Sequence, residues 1–507
     1  MHRLIKILTS RVILFVILIL LQIALFFAVL FRAGLYYYIS TAMSIIGVIL
    51  VIYVVNKQED PSYKISWSIL ILVLPVLGGF LYMLCAGRKM PKKLFKGTTR
   101  ANQRMANLLS QDIQIMDELK EKDHRIQRIF SHAWQMSDFP VYQNTNLTYF
   151  RSGEEAWPVL LERLREAKHF IFLEYYIIDE GEMWDSILEI LKEKVKNGVK
   201  VVLIYDDFGC ASTLPYRYDK KLQEFGIETY RFNRLRPAII IQMNNRDHRK
   251  LCIIDNQYGF TGGINLADEY VNRIKRFGYW RDSCVMLEGE AVWSMTDMFL
   301  GMYSYLSGRD NLEYEQYRIP HKAPTDGYVQ PFSDTPTDQA ELGLAMHLNL
   351  INQAKDYIYI DTPYLVINND VITALCLAAQ KGVDVRILVP HIPDKQYVFT
   401  ITKSNYEPLI QAGVKIYEFT PGFNHAKNIV SDDCIGLIGS VNTDYRSYYL
   451  HFEDGVLFYQ SHIIQEMKQH FLDSLAESEQ VTLESCRKVR LAWRIVRSIL
   501  KLFSPLF

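Results

Sequence analysis

The chain has 507 residues, too many for one ordinary domain, so two or three folding units with a sizeable core are expected. Lysine plus arginine and aspartate plus glutamate both number 56, which excludes a globally basic nucleic-acid binder. Seven cysteines, at 85, 210, 252, 284, 376, 434 and 486, form no CxxC pair and no zinc spacing. A disulfide scaffold and a thiolate metal centre are therefore excluded, and the thiols read as reduced.

Residues 12–31, VILFVILILLQIALFFAVLF, form an uncharged stretch long enough to cross a bilayer core of about 30 Å. Apolar segments follow at 37–55 and at 67–86, the latter carrying Pro75, Gly78 and Gly79. The first is too long for a signal-peptide core, and no small-residue cleavage site follows it. Residues 1–100 thus read as the membrane region of a multi-pass cell-membrane protein. Arg88, Lys89, Lys92, Lys93 and Lys96 place the part of the chain after them in the cytoplasm, whereas Arg3, Lys6 and Arg11 favour a cytoplasmic N-terminus. Three full spans cannot satisfy both, so two versus three spans, and the orientation, stay open.

Residues 101–145 read as a polar helical linker, and beyond them the chain repeats itself. EAKHFIFLEYYIID (166–179) matches QAKDYIYIDTPYLV (353–366), each an apolar strand ending at a carboxylate, Glu174 or Asp361. NGVKVVLIYDD (197–207) matches KGVDVRILVPH (381–391), and FGIETYRF (225–232) matches AGVKIYEF (412–419). Near-continuous apolar strands alternating with helical segments predict an α/β fold of two repeated sandwich halves, 146–307 and 328–482, forming one site. The join is 308–327, with Pro320 and Pro324. At the end, 483–507 predicts a basic amphipathic helix: Arg487, Lys488, Arg490, Arg494, Arg497 and Lys501 interleave with apolar residues and no acid falls within 486–507. Such a helix suits an anionic lipid surface.

Each half carries one copy of H-x-K-x4-D-x6-G-[GS]-x-N. The first is HRKLCIIDNQYGFTGGIN (248–265), with His248, Lys250, Asp255 and Asn265. The second is HAKNIVSDDCIGLIGSVN (425–442), with His425, Lys427, Asp432 and Asn442. A phosphodiester resists attack because its anionic oxygens repel nucleophiles. Two histidines divide the work: one, neutral, attacks phosphorus to give a phosphohistidine, and the other protonates the leaving alkoxide. Lys250, Lys427, Asn265 and Asn442 are the candidates to hold the phosphate oxygens. Asp255 and Asp432 complete the catalytic motif, with fixing the turn after the strand as their expected part. Each histidine needs an acceptor on its far ring nitrogen, and the candidates are Asp282 in FGYWRDSCV and Glu453 in YLHFEDGV. No Asp/Glu/His cluster with metal spacing occurs elsewhere, so no metal and no cofactor are expected.

The doubled motif resembles the signature of the phospholipase D superfamily, and within it the chain is similar to bacterial cardiolipin synthases. The residues carrying that likeness are WSILILVLPVLGGFLY (67–82), HRKLCIIDNQYGFTGGINLADEY (248–270), GYWRDSCVMLEGEAV (278–292), DTPYLVI (361–367), PGFNHAKNIVSDD (421–433) and SVNTDYRSYYLHFE (440–453). The resemblance implies transfer of a phosphatidyl group from one phosphatidylglycerol to another, giving cardiolipin and glycerol. It implies His248 as nucleophile and His425 as the acid that later becomes the base; spacing alone does not say which histidine attacks. Arg446 and Ser447 are candidates to seat a second anionic headgroup. His451 stands where such relatives often have asparagine, and an additional hydrophobic segment precedes the usual pair. The sequence leaves a membrane-bound phospholipase D or another phosphatidyltransferase as alternatives. A nuclease fits poorly, because apolar segments would not serve it and no basic, aromatic-interleaved groove is evident. A lipid-binding scaffold with a catalytic relic fits poorly too, because both motifs are complete.

Overall fold

The computed structural model describes residues 34–85, 92–106, 108–234, 244–309, 313–337 and 341–506. They fall into two compact units, one within Met1–Met90, Leu235–Asn244 and Ser498–Phe507, the other Pro91–Arg234 with Asn245–Arg497. In the first unit the helices Gly34–Val55, Pro61–Val73 and Pro75–Cys85 enclose Val54, Tyr63, Trp67, Ile71 and Tyr82. Ile45, Ile46, Ile49 and Ile52 stay exposed on the first helix. The predicted 67–86 segment is not one rod. It divides at Leu74, because Pro75 has no N–H to donate to the preceding turn. No helix among the described residues is long and apolar enough to cross a membrane, and the 12–31 segment lies outside the described residues.

In the second unit the first half contributes β1 (Thr145–Phe150), β2 (Phe170–Tyr175), β3 (Lys200–Asp206), β4 (Glu228–Phe232), β5 (Arg246–Asp247), β6 (Lys250–Ile254), β7 (Tyr258–Gly262), β8 (Tyr279–Arg281) and β9 (Cys284–Gly289). The second half contributes β10 (Tyr328–Asp334), β11 (Tyr357–Asp361), β12 (Asp384–Pro390), β13 (Lys415–Phe419), β14 (Gly422–Asn424), β15 (Asn428–Ser431), β16 (Ile435–Gly439), β17 (His451–Tyr459) and β18 (Ser478–Gln480). The sheets run β1-β9-β7-β6-β2-β3-β4 and β10-β17-β16-β15-β11-β12-β13-β18, so the same order occurs twice, with β18 added at the edge of the second. The repeat expected from the sequence is therefore a repeat of topology.

β2 and β11 are buried throughout, and helices cover the sheets as the parallel pairings β2–β3–β4 and β11–β12–β13 require. The helix Glu182–Lys196, for example, buries Met183, Trp184, Ile187, Leu188 and Leu191 along one stripe. Residues 101–145 are no free-standing linker. Their helix His124–Ser137 buries Ile126, Ile129, Phe130 and Ala133, and Gln330 of β10 donates to the carbonyls of Phe130 and Phe139. The join is packed as well: Tyr317 meets the rings of Phe170 and Phe172 at 5.3 and 5.2 Å.

Two short strands cross between halves. β5 of the first half pairs in parallel with the start of β17, Arg246 opposite His451 and Asp247 opposite Phe452. β8 of the first half pairs in parallel with β14, Arg281 opposite Asn424. Each crossing abuts a histidine motif, and together they bring the two motifs to one place.

Candidate active site

His248 follows β5 and His425 follows β14, so the exchanged strands deliver both histidines. The His248 N–H donates to the carbonyl of Phe452 at 2.9 Å, and the His425 N–H donates to that of Arg281 at 2.7 Å. The next residue in each case is the acid that the histidine ring meets. His248 Nδ1 lies 2.9 and 3.0 Å from the Glu453 oxygens, and His425 Nδ1 lies 2.7 Å from Asp282 Oδ2. Each acid thus serves the histidine of the other half, and neither half holds a complete site. With Nδ1–H donated to a carboxylate, Nε2 is the ring atom left to react.

Both lysines fold back on their own motifs, Lys250 Nζ donating to the His248 carbonyl at 2.5 Å and Lys427 Nζ to the His425 carbonyl. Burial, only partly offset by Glu453, Asp454 and Asp282, pushes Lys250 down to about 8. Burial and the charge of Lys250 push Lys427 down to about 7. Burial, with the charges of Lys250 and Lys427, drives His248 well below the usual imidazole value. Burial and Lys427 bring His425 to about 4, although Asp282 pulls the other way. Burial works against charge on Asp282, yet His425 and Lys427 outweigh it and hold the acid below its ordinary range. Burial thus holds both lysines toward their neutral forms, and an anionic phosphodiester beside them would favour the charged ones.

A testable consequence concerns pH. Bound phosphodiester returns both lysines to their charged form, so binding takes up protons above neutrality. KM is expected to rise as pH climbs through 7 to 8. Steady-state kinetics checks this, and Lys427→Met should flatten the rise.

Other predicted site residues lie elsewhere. The Asp255 carboxylate accepts the N–H groups of Lys168, His169 and Phe170 at 2.6–2.8 Å, and Asp432 accepts those of Lys355, Asp356 and Tyr357 at 2.9–3.0 Å. Both sit at positive φ, 53°, in the hairpin turn after the motif strand, a conformation Asp tolerates. They lock that turn to the start of β2 or β11 and do not face the histidines. Asp255→Ala should cost about 3 kcal/mol in chemical denaturation, since hydrogen bonds to a charged acceptor are lost, while kcat of the folded protein is kept.

Asn265 is fully buried; its Oδ1 accepts the Ile177 N–H at 3.0 Å and its Nδ2 donates to the Tyr270 hydroxyl at 2.8 Å. Asn442 differs: its Oδ1 is buried without a hydrogen-bond partner, and its N–H meets Ser447 Oγ at 3.2 Å. Ser447, a headgroup candidate in the sequence, donates instead to Glu453 Oε1 at 2.7 Å, and Arg446 Nε donates to His451 Nε2 at 3.3 Å.

Some participants were not singled out from sequence. Ser440 Oγ donates to Glu453 Oε2 at 2.5 Å. Its counterpart Gly263 has no such option, because a Cβ there would come within 1.9 Å of Asp282 Oδ1. The [GS] alternation in the motif was the visible signal. Arg281, 2 % exposed, reaches into the second half and bonds Asp361 Oδ1 at 2.8 Å and Asn424 Oδ1 at 2.7 Å. It explains the strand-ending carboxylate of β11, as Arg249 beside Glu174 at 2.5 Å explains that of β2. Rings close the site: Tyr176 and His451 flank His248, and Tyr270, Trp280 and Phe423 flank His425.

His248, His451 and Glu453 bring three ligand-type atoms within 4.8 Å of one another. Those atoms already bond each other, both Nδ1 atoms facing the carboxylate, and Ser440 and Ser447 donate to it as well. The group is accounted for as a hydrogen-bonded cluster.

Residues 160–283 and 347–475 match the family model described as "Cardiolipin synthase, PLD-like domain", and 43–86 match "Phospholipase D-nuclease N-terminal". An uncharacterized protein of Streptococcus mutans is 41% identical over 90% of this chain and 99% of its own length. Cardiolipin synthase 2 of Bacillus anthracis is 35% identical over 89% of this chain and 88% of its own. The crystal structure of phosphatidylserine synthase from Haemophilus influenzae superposes with a TM-score of 0.58 over 75% of this chain and 97% of that one, at 18% identity, a likeness of fold. A duplicated sheet carrying two motifs that complete each other, in a chain whose named relatives match it nearly end to end, makes it a member of the cardiolipin synthase family of phospholipase D-like phosphatidyltransferases.

Proposed function

We propose that the site moves the phosphatidyl group of one phosphatidylglycerol to the free glycerol hydroxyl of another, giving cardiolipin and glycerol. His248 Nε2 attacks phosphorus as the bond to the departing glycerol oxygen breaks, and His425 Nε2–H protonates that oxygen. The hydroxyl of the second phosphatidylglycerol then gives its proton to His425 and attacks phosphorus, and the bond to His248 breaks. Lys250, Lys427 and Asn442 hold the phosphate oxygens. Their charge, once matched by substrate, allows the pair of histidines to carry the one proton the cycle needs. The observation that carries this reading is the crossed pairing of His248 with Glu453 and His425 with Asp282.

Several features support action at a membrane. The first helix exposes Ile45, Ile46, Ile49 and Ile52. The helix Leu491–Leu502 exposes Leu491, Trp493, Ile495 and Ile499 while carrying Arg494, Arg497 and Lys501, a composition that suits anionic lipid. The apolar segments at 12–31, 37–55 and 67–86 supply the anchor, with the catalytic unit on the cytoplasmic side. Anchoring concentrates two lipid substrates, and a site walled by rings and buried groups favours an alcohol acceptor over water.

Purified protein in detergent with headgroup-labelled phosphatidylglycerol should yield cardiolipin and labelled glycerol in equal amounts, unaffected by a chelator. Phosphatidic acid as the main product would contradict the transfer, and loss of activity on chelation would contradict metal-free chemistry.

A further inference from the structure

The two histidines are not equivalently supported. Asp282 accepts His425 Nδ1–H at 2.7 Å, the Ser283 N–H at 2.8 Å and, weakly, the Trp280 indole at 3.4 Å. Glu453 accepts His248 Nδ1–H, Ser440 Oγ at 2.5 Å, Ser447 Oγ at 2.7 Å and His451 Nδ1–H at 3.3 Å. Its charge is therefore divided among four side-chain donors, two of them imidazoles whose ring centres lie 5.4 Å apart.

His451 is also fixed in tautomer. Arg446 Nε–H points at His451 Nε2, 3.3 Å away, so that nitrogen accepts and the proton sits on Nδ1, toward Glu453. A guanidinium at that distance also opposes protonation of the ring. Burial and Arg446 bring His451 to about 3, against the pull of Glu453. His451 is 8 % exposed, and neither ring nitrogen is free for a reacting atom.

We propose that His451 is a positioning residue: its Nδ1–H draws on the Glu453 carboxylate, so that His248 stays unprotonated and ready to attack, while Arg446 keeps His451 itself neutral. This rests on His248 as the attacking group. The charged and titratable groups facing His248 are Lys250 on its own motif, Lys427 and His425 from the second motif, Lys395, Tyr176 after β2, and Glu453 with His451 from β17. Those facing His451 are Arg446, Glu453 and His248. Among these, His451 is the neutral ring that shares the acid of His248, and His425 has no equivalent of it at Asp282.

The test is the pH profile of kcat/KM for phosphatidylglycerol in the full-length wild type, His451→Ala, His451→Asn and His248→Ala. Losing the donor returns charge to the His248 pair, so His451→Ala should move the acid limb up by roughly one pH unit. Activity should then fall about tenfold more on the acid limb than on the alkaline side of it, the same shift read as a rate. His451→Asn keeps an N–H able to reach Glu453 and should recover most of that shift. Should His451→Ala fail to fold, His451→Phe fills the volume without a donor and is expected to show the same movement. Profiles parallel to wild type, or His451→Asn shifted as far as His451→Ala, overturn the proposal while leaving His248 in its role. Activity in His248→Ala overturns both, which separates the two failures.

Discussion

Replacing either His248 or His425 by alanine is expected to lower kcat on the order of 10⁴-fold or more, and the double variant should be no worse than the more damaged single one. The reason is geometric. The backbone N–H of each histidine bonds a carbonyl of the other half, and each ring meets an acid of the other half. In the proposed mechanism, removing His248 takes away the atom that bonds phosphorus, and removing His425 takes away the proton that lets the alkoxide leave. Neither residue can cover for the other, because their Nδ1 partners differ and their Nε2 atoms do different work. Initial rates on labelled phosphatidylglycerol, together with vesicle co-sedimentation to show that lipid binding is kept, check this. Appreciable transfer by either variant would mean that the motifs act independently.

Glu453→Gln is expected to be the next most damaging change, lowering kcat about 10³-fold with little effect on KM. The substitution preserves shape but places an amide N–H₂ where an acceptor stood. His248 Nδ1 must then accept, its proton moves to Nε2, and the attacking lone pair is gone. Ser440 and Ser447, which now donate to the carboxylate, hold the replacement in place, so the loss falls on chemistry rather than on folding. The corresponding Asp282→Asn change acts on His425, whose task is to give a proton from Nε2, so it should slow the enzyme less at acid pH than at neutral pH. Single-turnover rates across pH distinguish the two. A Glu453→Gln enzyme with normal turnover would remove the acid from the account.

Much of this was legible in the chain, for physical reasons that also explain the rest. Strands buried on both faces must be continuously apolar, so FIFLEY and YIYID announced themselves, and duplication made the second copy a check on the first. The motif residues stood out because charged groups beside buried strands require a reason. What the sequence hid was partnership. β5 and β8 are two and three residues long, too short to show any periodicity, yet they are the pieces that cross between halves. Asp282 and Glu453 were identified as acceptors, but only the fold shows that each serves the opposite histidine. Asn265 and Asn442 share a motif position, and only the fold shows that the amide of the first bonds Ile177 and Tyr270. Within the helical segment 101–145, the burial of Ile126, Ile129, Phe130 and Ala133 follows their helical spacing, a pattern their polar neighbours dilute in the sequence. The segment around Pro75 read as a continuous span because hydropathy counts side chains and ignores a missing N–H.

The central claim is that two crossed histidines make one site in which His248 carries the phosphatidyl group. Its most direct test is rapid mixing with phosphorus-radiolabelled phosphatidylglycerol, an alkaline quench that preserves phosphohistidine, and mapping of the labelled peptide. The account predicts an acid-labile label on the peptide containing His248, formed before cardiolipin appears and absent from His248→Ala. Label on the His425 peptide, or cardiolipin formed at full rate with no labelled protein, would contradict it.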